Sequence, residues 1–163
     1  GDDEIRHAPR GEGGEESLTA QIAELVRDTA SAAARARDVP SGSLTVIAPE
    51  GIALPVKRNA LRRCLTNLVD NAFKHGRQVA VTVQRDEHYA EIIVEDDGPG
   101  IPEARREEAF RPFHRLDQGR NLQTGGSGLG LAIARDIARA HGGDIILGDS
   151  KLGGLKVTIR LPV

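Results

Sequence analysis

The stretch "KRNALRRCLTNLVDNAFKH", residues 57–75, sets the reading of everything around it. At about 100° per residue, Leu61, Leu65, Leu68 and Ala72 line one face of a helix, and Gly76 stops it. Asn67, Asn71 and Lys74 fall at i, i+4 and i+7, a narrow stripe on the opposite face. Asn is a poor helix former because its side chain competes for nearby backbone groups. Two of them in line with a Lys point to a purpose. A carboxamide oxygen is a hard donor suited to Mg²⁺ that is shared with substrate phosphates, and a Lys meets a terminal phosphate as a point charge. A solvated polar face accounts for the same stripe.

Outward from this helix, the N-terminal side begins with "GDDEIRHAPRGEGGEE" (1–16), rich in Gly and acid and read as a linker or frayed tail. Residues 17–163 form the domain. Leu18, Ile22, Leu25, Val26 and Thr29 fall at helical spacing with Ser17 as N-cap, and Pro40 and Gly42 end that helix. "SLTVIA" (43–48) reads as a short strand. On the C-terminal side, "VAVTVQ" (79–84) and "AEIIVED" (90–96) read as a hairpin, and "DGPGIP" is a turn. Pro102 opens a short helix over "PEARREEAF". Residues 111–127 read as a loop, about 129–141 as a helix, and the end as two strands around a Gly-Gly turn. Helices interleaved with hairpins predict a mixed sheet, hence a two-layer α/β sandwich with helices on one face.

Composition narrows the function. The 163 residues carry a net charge of -2, so there is no basic footprint for nucleic acid. Aromatics are 2% of the chain, which leaves the core to Leu, Ile, Val and Ala and argues against base stacking. One cysteine, Cys64, allows no disulfide within the chain and fits a reducing compartment. No apolar run approaches a membrane span. The chain has no methionine and begins with Gly, which predicts a piece of a longer protein.

Two further stretches carry chemistry. In "TGGSGLGLAIARDIARAHGG" (124–143), Gly125, Gly126, Gly128 and Gly130 run directly into a helix. Glycine lets backbone N–H groups approach a ligand, and a helix start adds unpaired donors and partial positive charge, so the pair makes an anion site. The spacing is neither a Walker A loop nor the dinucleotide fingerprint, and a flexible turn without a ligand reads the same. In "VEDDGPGIP", a strand ends in two acids and a Gly-Pro-Gly turn. An Asp there can accept a hydrogen bond from an amino group, as on adenine, or simply mark a turn.

Taken together and in order, these segments resemble the catalytic and ATP-binding domain of sensor histidine kinases, a branch of the gyrase, Hsp90, histidine kinase and MutL superfamily with the Bergerat ATP-binding fold. "NLVDNAFKHG" (67–76) matches the N box, "DDGPG" (96–100) the D-x-G-x-G of the first glycine box, "FRPF" (110–113) the F box, and "GSGLGL" (126–131) the second glycine box. The resemblance covers 17–163, and "HRLDQGRNLQT" is most similar to the EnvZ-like osmosensor group.

The resemblance implies ATP and Mg²⁺ as cofactors. Asn71 would hold Mg²⁺, with Asn67 beside the phosphates and Lys74 on them. His75 stands where the family usually has Tyr against the adenine. Asp96 would read the adenine amino group, Gly98 and Gly100 would open space for the base, and Asp97 would be structural. Phe110 and Phe113 would anchor a lid, or be plain core, and Arg115 and Arg120 would contact the γ-phosphate. Gly126, Gly128 and Gly130 would cradle the phosphates, and Ile101, Thr124, Ser127 and Leu129 complete the nucleotide set. Lys156 replaces the Thr or Ser that relatives often carry near the base.

ATP-hydrolysing and serine-kinase relatives place a Glu four residues before the metal-binding Asn as general base. This chain has Asn67 there, which favours phosphoryl transfer to an imidazole over water activation. None of His7, His75, His88, His114 or His141 sits in the family's phosphoacceptor pattern. The expected partners are therefore ATP, a dimerisation and phosphoacceptor domain outside this chain, and a response regulator downstream. The domain alone is expected to be monomeric and cytoplasmic, its parent in the bacterial inner membrane.

Overall fold

The computed structural model defines residues 14–111 and 130–163. Its centre is a five-stranded mixed sheet in the order β2-β4-β5-β7-β6, built from β2 (Leu44–Ile47), β4 (Val79–Arg85), β5 (Tyr89–Asp96), β6 (Asp144–Asp149) and β7 (Leu155–Pro162). β2 and β4 run parallel and every other pair is antiparallel. The parallel pair requires a crossover, and the crossover contains α2 (Arg58–His75).

The helices α1 (Ile22–Arg37), α2 and α3 (Gly130–Ala140) form the second layer. Leu61, Leu65 and Leu68 of α2 share one buried core with Ile22, Leu25 and Val26 of α1 and with Val81, Ile92 and Ile159 of the sheet. Alternation along the strands sends Ile92 and Val94, with Val157, Ile159 and Leu161, into this core. The expected two-layer sandwich is what forms.

The N-terminal helix begins later than its periodicity predicts. Residues Leu18–Gln21 are a strand, β1, paired antiparallel with β3 (Ala53–Val56). Ser17 is therefore not the N-cap; Gln21 is, without a side-chain cap bond, and Leu18 is 58% exposed. The pairing buries Ala20 and Leu54 and lets the Ile22 N–H donate to the Ile52 carbonyl at 2.9 Å. A partner more than thirty residues away thus outweighs local spacing. β3 itself was hidden by Pro55, which is tolerated in a two-stranded ribbon that is all edge. The segment after Pro102 forms two three-residue 3₁₀ turns, Glu103–Arg105 and Glu108–Phe110, in place of one short helix.

Two contacts tie α2 to distant parts of the chain. Glu15 accepts the Asn59 and Ala60 N–H groups at 2.8 and 3.0 Å, capping a helix whose own N-cap residue, Lys57, supplies no side-chain bond. At the end of α3, the His141 Nε2 accepts the Lys57 N–H at 3.0 Å. Its Nδ1 lies 2.8 Å from the Ile137 carbonyl. With Nε2 accepting from Lys57 and Nδ1 facing the Ile137 carbonyl, the ring's orientation is fixed from both sides.

Candidate nucleotide site

The C-terminal end of α2 and the end of β5 meet at two glycines. A Cβ at Gly98 would lie 2.6 Å from the His75 carbonyl oxygen, and one at Gly76 would lie 2.8 Å from Asp97 Oδ1. Only glycine allows this approach. Asp97 completes the junction by accepting the Arg77 and Gln78 N–H groups at 2.7 and 3.0 Å. Those two backbone bonds lower its pKa, and its role is structural.

Asp96 is the buried acid of the site, 3% exposed. Its Oδ1 accepts the Gly98 N–H at 2.8 Å and the Leu155 N–H at 3.3 Å. Burial raises its pKa above the ordinary carboxylate value; the Gly98 and Leu155 bonds, and then His75, pull it back. With Oδ1 committed to two backbone donors, the second oxygen is the one that can receive a ligand's N–H. Gly100 takes the left-handed conformation, φ 73°, which a side chain would strain. Ile101 packs against the core edge, and its carbonyl accepts the Arg106 Nε at 3.0 Å.

On α2, Asn67, Asn71 and Lys74 are all half-buried, on the helix's polar side. His75 is exposed by area, yet loss of surrounding water and then Lys74 push its pKa below the ordinary imidazole value, with Asp96 opposing. Gly130 opens α3 with nothing within 4 Å of where its Cβ would be.

The structure thus brings His75 together with Asp96 and Gly98, continues into Gly100 and Ile101, and sets Asn67, Asn71 and Lys74 along the same helix. Phe113, Arg115, Arg120, Thr124, Gly126, Ser127, Gly128 and Leu129 lie outside the defined residues. Phe110 is buried, with the Arg135 guanidinium 4.1 Å from its ring centroid.

Lys156 does not fall where the sequence placed it. Strand alternation puts it on the open face, in register with Glu95 and away from Asp96. There it helps line a shallow groove of about 320 Å³ with Glu91, Ile146, Gly148, Thr158 and Arg160. The turn at 150–154 falls where its glycines predict, but its link to Asp96 was not foreseen: the Gly154 N–H donates to the Asp96 carbonyl at 3.1 Å. Its Gly-Gly pair signalled a hairpin turn, and nothing local tied that turn to Asp96.

No group of three or more His, Cys, Asp or Glu able to hold a metal exists among the defined residues. A single carboxamide donor, Asn71, fits an ion that is delivered with phosphates and keeps much of its water, as Mg²⁺ does, rather than one held in a protein cage.

Residues 56–163 match the family described as histidine kinase-, DNA gyrase B-, and HSP90-like ATPase. The sensor histidine kinase GtrS of Pseudomonas aeruginosa is 41% identical over 121 residues, which is 74% of this chain and 25% of that protein. Among solved structures, the ATP-binding domain of PrrB from Mycobacterium tuberculosis superposes with a TM-score of 0.73 at 28% identity, covering 91% of this chain and 98% of that one. The histidine kinase domain of the Escherichia coli osmosensor EnvZ gives 0.66 at 31% identity, covering 91% and 89%. The chain belongs to this ATPase family. Within it, the chain is the ATP-binding domain of the sensor histidine kinase type, and it spans about a quarter of the length of a curated relative such as GtrS.

Proposed function

We propose that this chain is the catalytic domain of a two-component sensor kinase. It binds Mg-ATP at the junction of α2 and the end of β5 and passes the γ-phosphate to a His on a separate dimerisation and phosphoacceptor domain, for relay to a response-regulator Asp. The observation that carries the reading is the held carboxylate of Asp96, one oxygen fixed and one available, beside the polar side of α2. Asp96 receives the adenine amino group, Asn67 and Lys74 attend the phosphates, and Asn71 supplies the oxygen for Mg²⁺. Bound Mg²⁺ would neutralise phosphate charge. His75 borders the base. Arg115, Arg120 and the glycines of 126–130 complete the phosphate grip. With Asn67 where a general base would stand, water is poorly activated, and the acceptor must bring its own nucleophile. The parent protein places this domain on the cytoplasmic side of the bacterial inner membrane; no helix among the defined residues is long and apolar enough to cross one.

Calorimetric titration of ATP and ADP, with and without Mg²⁺, tests binding. Saturable binding, tighter for ATP when Mg²⁺ is present, is expected. Incubation with γ-labelled ATP tests transfer: label should appear on an added phosphoacceptor domain and not on the chain alone, with hydrolysis near background. Steady hydrolysis without transfer would replace this reading with a conformational ATPase.

A further inference from the structure

The turn between β6 and β7 is built onto Asp96. Ser150 closes it, its N–H donating to the Gly154 carbonyl at 2.8 Å and its carbonyl accepting the Gly153 N–H at 3.0 Å. The Ser150 hydroxyl bonds the buried Glu95 carboxylate at 2.8 Å and accepts the Leu152 N–H at 2.9 Å. From this frame two successive residues reach Asp96. Gly154 donates to its main-chain carbonyl, and Leu155 donates to its Oδ1.

Gly154 is not among the glycines with positive φ, so its backbone suits any residue. What it lacks is room. A Cβ there would lie 2.5 Å from the Gly98 nitrogen and 2.7 Å from the Asp96 carbonyl oxygen, and would overlap Asp96 Oδ1. Gly153 next to it is the reverse case, with φ 112° and nothing within 4 Å of a Cβ.

We propose that Gly154 is a positioning residue for base selection: its missing side chain lets the β6–β7 turn close on Asp96 and aim the free carboxylate oxygen at a 6-amino purine. This rests on the nucleotide-site reading above. A methyl group at 154 must push either the turn or the carboxylate away. Either movement separates the Leu155 N–H from Oδ1, and the acid loses the donor that fixes its orientation.

The test compares ATP with purine riboside triphosphate, which carries hydrogen in place of the 6-amino group, by calorimetry on the whole chain. Wild type should prefer ATP by about tenfold or more, the scale of one hydrogen bond to a charged group. Gly154→Ala should bring the two ligands within about twofold by weakening ATP alone, whereas Gly153→Ala should lower Tm and keep the preference. A folded Gly154→Ala protein that keeps the wild-type preference overturns the proposal and leaves the nucleotide site standing. A wild type that ignores the 6-amino group removes the site reading and the proposal with it. If Gly154→Ala does not fold, Ser150→Ala loosens the same turn more gently. Its preference should fall by about threefold, and an unchanged preference overturns the proposal.

Discussion

Asp96 carries opposite demands. Its raised pKa means that the folded state favours the protonated acid more than the unfolded chain does. The stability this contributes is present below the ordinary carboxylate range and is lost as pH rises through the raised folded pKa. At neutral pH the buried charge therefore costs stability on balance, although its Oδ1 still holds the Gly98 and Leu155 N–H groups. Asp96→Asn keeps the shape and removes the charge. Thermal denaturation at pH 7 should show an equal or higher Tm, while ATP affinity falls by tenfold or more as an amide faces the ligand's N–H donor. His75 has the other sign. Its lowered pKa contributes stability above about 6.5 that is lost as pH falls through the depressed folded value. Denaturation midpoints measured from pH 7.5 to 5 should fall less steeply in His75→Gln than in wild type. The stripe of Asn67, Asn71 and Lys74 was legible because one helix turn brings i and i+4 together. Gly154 was not, because its contact with Asp96 spans 58 positions and two strands.

Among the elements, α2 is fastened at its start by residues outside it, Glu15 and His141. Glu15, in the segment read as a tail, satisfies two N–H groups that a helix start otherwise leaves open. Glu15→Ala should lower stability by about 1 kcal/mol in urea denaturation, the usual cost of a lost cap. An unchanged midpoint would mean that water replaces the carboxylate without loss. Arg135 of α3 instead ties that helix to the 3₁₀ turns and to β6. It stacks on Phe110, pairs with Glu107 at 2.9 Å and lies 3.4 Å from Asp144. Glu107 is exposed, so that pair contributes little, and the planar stack carries the contact. Arg135→Lys should therefore cost about 1 kcal/mol, because an ammonium cannot lie flat on the ring. Elements with strong internal periods, such as α2, β4 and β5, were read within a residue or two. β1 and β3 were not, since each is defined only by pairing with the other.

For the molecule as a whole, the sheet's open face is crossed by Ile47, Thr82, Ile93, Thr158 and Ile146, one residue from each strand in register. Charged neighbours border this row, including the Glu91–Arg160 pair at 3.1 Å. The edge strand β6 ends in Asp144 and Asp149, which are held by Arg139 and Arg106. Charge at the ends of an edge strand discourages pairing with another chain. Sedimentation at tens of micromolar should therefore give a monomer; a dimer would point to β2, whose Ile47 is 59% exposed. The sandwich was legible from the alternation of helices and hairpins.

Cys64 lies fully buried on α2, its Sγ 3.6 Å from the Ala134 carbonyl of α3. Burial pushes its thiol up to about 12, so almost none is thiolate at neutral pH, and the thiolate is the form that reacts. Alkylation must then wait for α3 to lift from α2, and its rate becomes a clock for that one opening, read by mass spectrometry from the chain's only sulfur. A ligand that clamps the two helices together would slow the clock, and the degree of slowing would measure how far its binding is felt beyond the atoms it touches.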